Sequence, residues 1–147
     1  MEKAEKIDIR DLSVGDWFQA RMVKWDYEDL DITPPMKVVK IEKDCVRLGF
    51  SLDYLEFEVF VDDLQPIPIT VEVLEKNELE QNSNCLDYRF IIDNIYCSIS
   101  KGIKCWYVNI YDISNPPNTP IFKAHIIHIH ELQHALRLAK TGKEIVL

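Results

Sequence analysis

No stretch of the 147-residue sequence has the roughly 18 consecutive apolar residues that a membrane-spanning helix needs. The first six residues are mostly charged and have no apolar core, so a secretion signal is not expected either. We therefore expect a cytoplasmic protein. With 47% hydrophobic and 29% charged residues, the composition is typical of a globular protein rather than a disordered one.

The sequence also has no C-x-x-C pair, although it has four cysteines: Cys45, Cys85, Cys97 and Cys105. A zinc knuckle needs closely spaced pairs of thiolate ligands, and that spacing is missing. All four cysteines lie in strand-like runs, where a reduced thiol behaves as a small hydrophobic side chain. We expect a structural role for them.

An excess of positive charge is missing as well, since the net charge is −8. Residues 1–65 hold nine Lys or Arg against sixteen Asp or Glu, a balance of −7, and residues 66–147 hold eight against nine, a balance of −1. Phosphate neutralisation supplies most non-specific affinity for nucleic acids, so this balance argues against nucleic-acid binding by a general basic surface. A short local strip such as Lys101 and Lys104 is the alternative that could still contact a nucleic-acid backbone. The aromatic run of Trp106, Tyr107 and Tyr111 raises the question of a platform on which bases stack. Such a platform needs flanking basic residues, and this run has only Lys104, so we interpret it as core packing.

What is present in residues 1–65 is a series of short, alternating strands separated by turns. The turn at residues 11–16 precedes a strand from Trp17 to Lys24, and strands from Met36 to Ile41 and from Cys45 to Phe50 form a predicted hairpin. Leu55 to Val61 alternates again. Four or five such strands in about 55 residues predict a small SH3-like β-barrel, a fold that often serves as an interaction module.

The second part, residues 66–147, begins with Pro66 and Pro68, which favour an extended connector. Thr70 is the predicted N-cap of a short helix. A four-stranded antiparallel sheet is predicted next, from Leu86 to Ile92, Ile95 to Ser100, Ile103 to Ile113 and Ile121 to Ile127, followed by a C-terminal helix. The whole chain is therefore expected to be an α+β protein.

The predicted C-terminal helix contains His130-Glu131-Leu132-Gln133-His134, which matches the H-E-x-x-H motif of zinc metallopeptidases. In that motif two histidines one turn apart bind zinc, and the glutamate is the general base for a zinc-bound water. A catalytic zinc usually needs a third protein ligand, and neither the metzincin extension nor a later helix supplies one here. A helical wheel also predicts that His130 and His134 face water, opposite the apolar half that contains Leu132 and Leu136.

We therefore interpret the motif as accidental and expect neither a catalytic residue nor a metal cofactor. The alternative is a zinc-dependent hydrolase that uses His130 and His134 as ligands and Glu131 as base. His125 and His128 could complete such a site if the preceding strand turned back over the helix.

The loop from Trp25 to Asp31 combines two aromatic residues with four carboxylates. A calcium loop would need a tight, usually glycine-bearing turn, which is missing. Long loops on compact scaffolds often bind partners, so Trp25, Tyr27 and Asp29 are the predicted binding residues, and a protein with a basic surface is the expected partner. A strand edge or a solvated loop without a function is the alternative.

Three segments carry a resemblance to a known family: residues 12–17, residues 61–70, and residues 129–136 with the following residues 141–144. In these the chain resembles an uncharacterised family of small proteins of anaerobic gut bacteria, many of them encoded on prophages and other mobile elements. That family tolerates Gln in place of Glu131 and Asn in place of His134, which a zinc peptidase could not. The resemblance implies no activity, but it implies a role in phage or mobile-element biology. Together these observations predict a non-enzymatic intracellular interaction module.

Overall fold

The computed structural model describes residues 7–21, 32–49, 56–81, 87–114 and 119–147. It divides into two compact units, Met1–Ile67 and Pro68–Leu147. The boundary predicted from the proline pair lies between residues 65 and 66. No helix in the described ranges is long and apolar enough to cross a membrane.

The first unit is an antiparallel sheet of five strands in the order β4-β3-β2-β1-β5. The predicted turn precedes β1, where Gly15 has a φ of 94° and the Ser13 N–H donates to the Asp16 carboxylate at 2.7 Å. Alternate side chains of the strands form one buried cluster around Phe18, Met36 and Leu48. The strands are β1 (Trp17–Ala20), β2 (Met36–Ile41), β3 (Cys45–Gly49), β4 (Glu56–Phe60) and β5 (Leu64–Pro66).

The predicted SH3-like barrel is wrong, because the first sheet is open. Strands β4 and β5 are its two edges, and no pairing joins them among the residues that the structure describes. Alternation in the sequence shows which face of each strand is buried, but closure depends on the tilt and register of strands that are distant in the chain. The hairpin of β2 and β3 was predicted with the correct bounds for β2.

The second unit starts with α1 (Val71–Lys76), and the predicted N-cap is confirmed because the Thr70 hydroxyl accepts from the Val73 N–H at 3.3 Å. A second five-stranded antiparallel sheet follows, in the order β10-β9-β8-β7-β6. The helix α2 (Ile129–Leu138) follows the sheet and contacts β10. The strands are β6 (Glu80–Gln81), β7 (Asp87–Ile92), β8 (Ile95–Lys101), β9 (Trp106–Asp112) and β10 (Thr119–Ile126).

Two further predictions about this unit are corrected. The sheet has five strands rather than four, because the two exposed residues of β6 pair with β7 and carry no hydrophobic alternation that a sequence pattern could detect. The class is mainly β rather than α+β, with 49% strand against 19% helix among the residues that the structure describes. Both predicted helices exist, but with six and ten residues they contribute little beside ten strands.

One face of the second sheet is buried and the other is open. The buried face contributes Phe90, Cys97, Val108 and Ile110 to the core, together with Leu132 and Leu136 of α2, which are fully buried as predicted. On the opposite face the side chains are half-buried or exposed in the described strands. An antiparallel sheet with one solvated face shows this alternation.

Candidate functional site

The H-E-x-x-H segment lies in the first two turns of α2, so its two histidines are one turn apart on the helix. The ring centroids of His130 and His134 are 5.9 Å apart, and the ring of His128 stacks on that of His130 at 5.8 Å. The motif therefore has the helical spacing that zinc binding needs. Whether it can work depends on its carboxylate and on a third ligand.

Glu131 belongs to the cap of α2. Its Oε1 accepts hydrogen bonds from the backbone N–H of Ile127 at 3.2 Å and of His128 at 3.0 Å, and lies 3.1 Å from His128 Nδ1. Both N–H groups lie at the start of the helix, where the carboxylate of the third helical residue is their acceptor, as in a capping box. The carboxylate is therefore engaged in the structure of the helix end.

The same contacts make Glu131 a poor general base. The hydrogen bond with His128, followed by the two backbone N–H bonds, lowers the pKa of Glu131 from 4.5 to about 2, although partial burial opposes the shift. A general base works best with a pKa near the operating pH. Glu131 therefore has the protonation behaviour of a structural carboxylate.

The prediction that both histidines face water is wrong for His130, which is only 9% exposed, while His134 is half-buried. The helical wheel assumed that one side of α2 is covered. Gln133, about 60° around the helix from His130, is fully buried. Its Oε1 accepts from the Ile145 N–H at 2.7 Å, so the chain after α2 covers a second side of the helix.

A third ligand does not join these histidines in the described part of the chain. Within those ranges, the group of three metal-binding side chains whose ligand atoms converge is Glu42, Cys45 and Glu58, all within 4.8 Å of one another. It lies in the first unit and contains no histidine. The zinc-hydrolase alternative therefore gains no support from the arrangement around His130 and His134.

The Glu42–Cys45–Glu58 cluster was missed by sequence reasoning, which treated Cys45 as a small hydrophobic residue. The Cys45 thiol donates to Glu42 at 3.4 Å and approaches Glu58 at 3.6 Å. Burial, reinforced by these two carboxylates, raises the pKa of Cys45 to about 11. The thiolate that would act as a nucleophile or bind a soft metal is thus disfavoured. The signal in the sequence was Glu42 three residues before Cys45 across a tight turn.

The predicted binding residues Trp25, Tyr27 and Asp29 lie outside the described residues. Another acidic and aromatic patch is present in the first unit, around Phe60 on the edge strand β4. Phe60 is 64% exposed, and a shallow depression beside it is lined by Ile7, Asp8, Ile9, Lys43, Asp44, Phe60, Val61 and Asp62. We call this set the Phe60 patch.

The open face of the second sheet also differs from its prediction. Trp106 is buried as expected, but Tyr107 is 40% exposed, so the interpretation of this aromatic run as core packing is wrong for Tyr107. Neighbouring strands place Arg89 and Lys123 on the face of Tyr107 and Asn109. The basic residues of β7 and β10 reach this face through the strand register, which the sequence of β9 alone does not contain.

Comparison of the chain with protein-family models, with curated proteins and with solved structures returns no match. The resemblance to the gut-bacterial family therefore stays a prediction.

Proposed function

We propose that the protein is a non-enzymatic interaction module whose partner is a protein with a basic surface. The observation that carries this proposal is Phe60, a large aromatic side chain left 64% exposed beside three carboxylates, those of Asp8, Asp44 and Asp62. Aromatic side chains are enriched among the residues that dominate binding energy at protein interfaces. In the Phe60 patch the three carboxylates outnumber the ammonium group of Lys43, and this excess of negative charge supplies the preference for a basic partner.

The base of the Phe60 patch is packed against the core of the first unit. Ile7, Ile9 and Val61 are partly buried and pack against the hydrophobic core of the first unit. A preformed surface needs little ordering when a partner binds, so less of the contact energy is lost. The patch therefore combines an exposed aromatic side chain, Phe60, with a base that is packed against the core.

Charge in the patch is present at neutral pH. Hydrogen bonds from Nε and Nη2 of Arg10 and from its backbone N–H lower the pKa of Asp8 to about 2, which keeps this carboxylate ionised. Residues 1–65 carry a balance of −7. Complementary charge steers association and weakens as salt screens it.

The position of Phe60 in the sheet supports the same proposal. Strand β4 is an edge strand in the described part of the first unit, pairing with β3 on one side. Exposed edges are common sites at which a partner segment adds to a sheet. The loop containing Trp25, Tyr27 and Asp29 stays a prediction for a further contact with the same partner.

An intracellular location belongs to this proposal. Cys45, Cys97 and Cys105 are free thiols in the structure, which supports a reducing compartment. The family resemblance supports a role in phage or mobile-element biology.

Affinity capture with the full chain as bait tests the proposal. Phe60→Ala should remove the partner from the captured set, because truncating a central aromatic residue typically costs about 2 kcal/mol or more in binding. Ile103→Ala is the matched control, since Ile103 is a fully exposed hydrophobic residue of the second unit, at 101%. Recovery of the partner should fall as the salt concentration rises. It should also fall with Asp62→Asn, which removes one of the three carboxylates.

The captured partner must have a basic surface and must bind the purified protein directly. An identical set of partners for wild type and Phe60→Ala, with both proteins folded by circular dichroism, would contradict the proposal. Loss of the partner with Ile103→Ala and not with Phe60→Ala would move the binding surface to the second unit.

A further inference from the structure

Polar and aromatic side chains from four strands form parallel rows across the open face of the second sheet. Strand register places the middle row across β7, β8, β9 and β10 as Arg89, Ser98, Asn109 and Lys123. The aromatic pair Tyr96 and Tyr111 lies in the row on one side, with ring centroids 6.4 Å apart. The pair Tyr107 and His125 lies in the row on the other side, with centroids 4.7 Å apart.

A depression of about 520 Å³ opens on this face next to the edge strand β10. Its lining is Ser100, Tyr107, Asn109, Lys123, Ala124 and His125. Among these residues there is an ammonium group, an imidazole, an amide and two hydroxyls, but no carboxylate. The acid in the row of Tyr107 is Asp87, two strands away, which is roughly 10 Å at the usual spacing of paired strands. The lining therefore favours an anionic ligand.

The ring of Tyr107 is held in place from two sides. His125 meets it edge to face at an interplanar angle of 83°. On the other side the turn between β8 and β9 passes so close that a Cβ at Gly102 would lie 2.5 Å from Tyr107 Cε2. Glycine at position 102 is thus what allows the ring to lie against the turn. An aromatic ring fixed in advance loses little entropy when a ligand stacks on it.

We propose that this depression binds a nucleotide unit, with the base against Tyr107 and the phosphate at Lys123 and His125. An apolar ligand would leave the ammonium group and the amide without partners, and a cation would be repelled by Lys123. A nucleotide joins a flat base to an anionic phosphate, so it can contact both the Tyr107 ring and the Lys123 ammonium group. Base stacking on aromatic side chains beside cationic groups is a general mode of binding single-stranded nucleic acids.

The net charge of −8 does not oppose this proposal at the site itself. Residues 66–147, which contain all of the residues concerned, have a balance of −1, and most of the negative charge belongs to the first unit. Counterions released when Lys123 neutralises a phosphate should make the binding weaken as salt rises. The site shares no residue with the Phe60 patch, so either proposal can fail without the other.

The ligand can come from two sources that share this chemistry, a free nucleotide or a single strand of nucleic acid. The probe is a fluorescein-labelled single-stranded oligothymidylate of about eight nucleotides, within the usual range of site sizes, followed by fluorescence anisotropy at low salt. Wild type should bind it, and Tyr107→Leu and Lys123→Ala should each weaken binding about tenfold. Lys76→Ala, which removes an exposed lysine of α1, is the matched control and should change affinity by less than about twofold.

Competition separates the two sources. If unlabelled thymidine monophosphate displaces the probe at equal nucleotide concentration, a free nucleotide is sufficient as the ligand. If only longer strands displace it, the ligand is a single strand of nucleic acid. Either result supports the proposal. Absence of probe binding by folded wild type, or equal weakening by Lys76→Ala and Lys123→Ala, would overturn it.

Amide chemical shifts in the wild-type protein provide a readout that does not depend on how a variant folds. Addition of the oligonucleotide should shift the resonances of Tyr107, Asn109 and Lys123. Shifts confined to residues outside the open face would also overturn the proposal.

Discussion

The start of α2 and the open face of the second sheet lie in the same unit and differ in how the sequence presents them. The start of α2 contains a recognisable catalytic motif, yet its carboxylate caps the helix and one of its histidines is buried. The open face contains no motif, yet it assembles aromatic, amide and basic side chains on an accessible surface. The comparison shows that a short motif has to be judged by which of its groups the fold leaves available.

The largest effect that tests this comparison concerns the packing of α2. Leu136→Ala should destabilise the protein by about 2–5 kcal/mol, because Leu136 is fully buried and its truncation leaves a cavity. Leu138→Ala is the matched control on the same helix, and since Leu138 is 70% exposed it should change stability by less than about 0.5 kcal/mol. Urea denaturation measures both. Equal losses would show that the assigned faces of α2 are wrong.

A smaller effect is expected from the cap. Glu131→Ala removes the acceptor for two backbone N–H groups and should lower stability by about 1 kcal/mol, within the usual range for helix caps. Glu144→Ala is the control. It removes an exposed carboxylate of the same unit and should have a smaller effect on stability.

The contribution of Glu131 should also depend on pH in a defined direction. Its folded-state pKa of about 2 lies below the ordinary value of 4.5, so its ionised form stabilises the folded protein above about pH 4.5. That stabilisation is lost as pH falls from about 4.5 through about 2, and wild type and Glu131→Ala should converge in this window. A stability difference that grows as the pH falls would contradict the capping role of Glu131.

Local sequence signals predicted the parts of the fold that depend on neighbouring residues. The Thr70 cap, the strand Met36–Ile41 and the burial of Leu132 and Leu136 follow from capping chemistry and periodicity. The open sheet depends on pairing between distant segments, which periodicity does not encode. The strand Glu80–Gln81 pairs with the next strand along the chain, but its two exposed residues are too few to show an alternation.

The same distinction applies to the candidate sites. A helical wheel of α2 does not include Ile145, which lies beyond the end of the helix. The Ile145 N–H donates to Gln133, and this part of the chain covers a second side of α2. Reading β9 by itself likewise could not bring Lys123 next to Asn109. Sites assembled from several strands become visible only once the register is known.

We propose that the histidines and Glu131 of α2 are structural and that function lies on the binding surfaces. Zinc titration by calorimetry tests this proposal, with protein that was purified without a histidine tag. His134→Ala is the comparison variant, because His134 is half-buried whereas His130 is buried. We predict that wild type and His134→Ala give the same titration, since no third ligand joins the two histidines in the described ranges. One zinc per chain, lost in a folded His134→Ala variant and accompanied by hydrolytic activity that Glu131→Gln abolishes, would contradict this proposal.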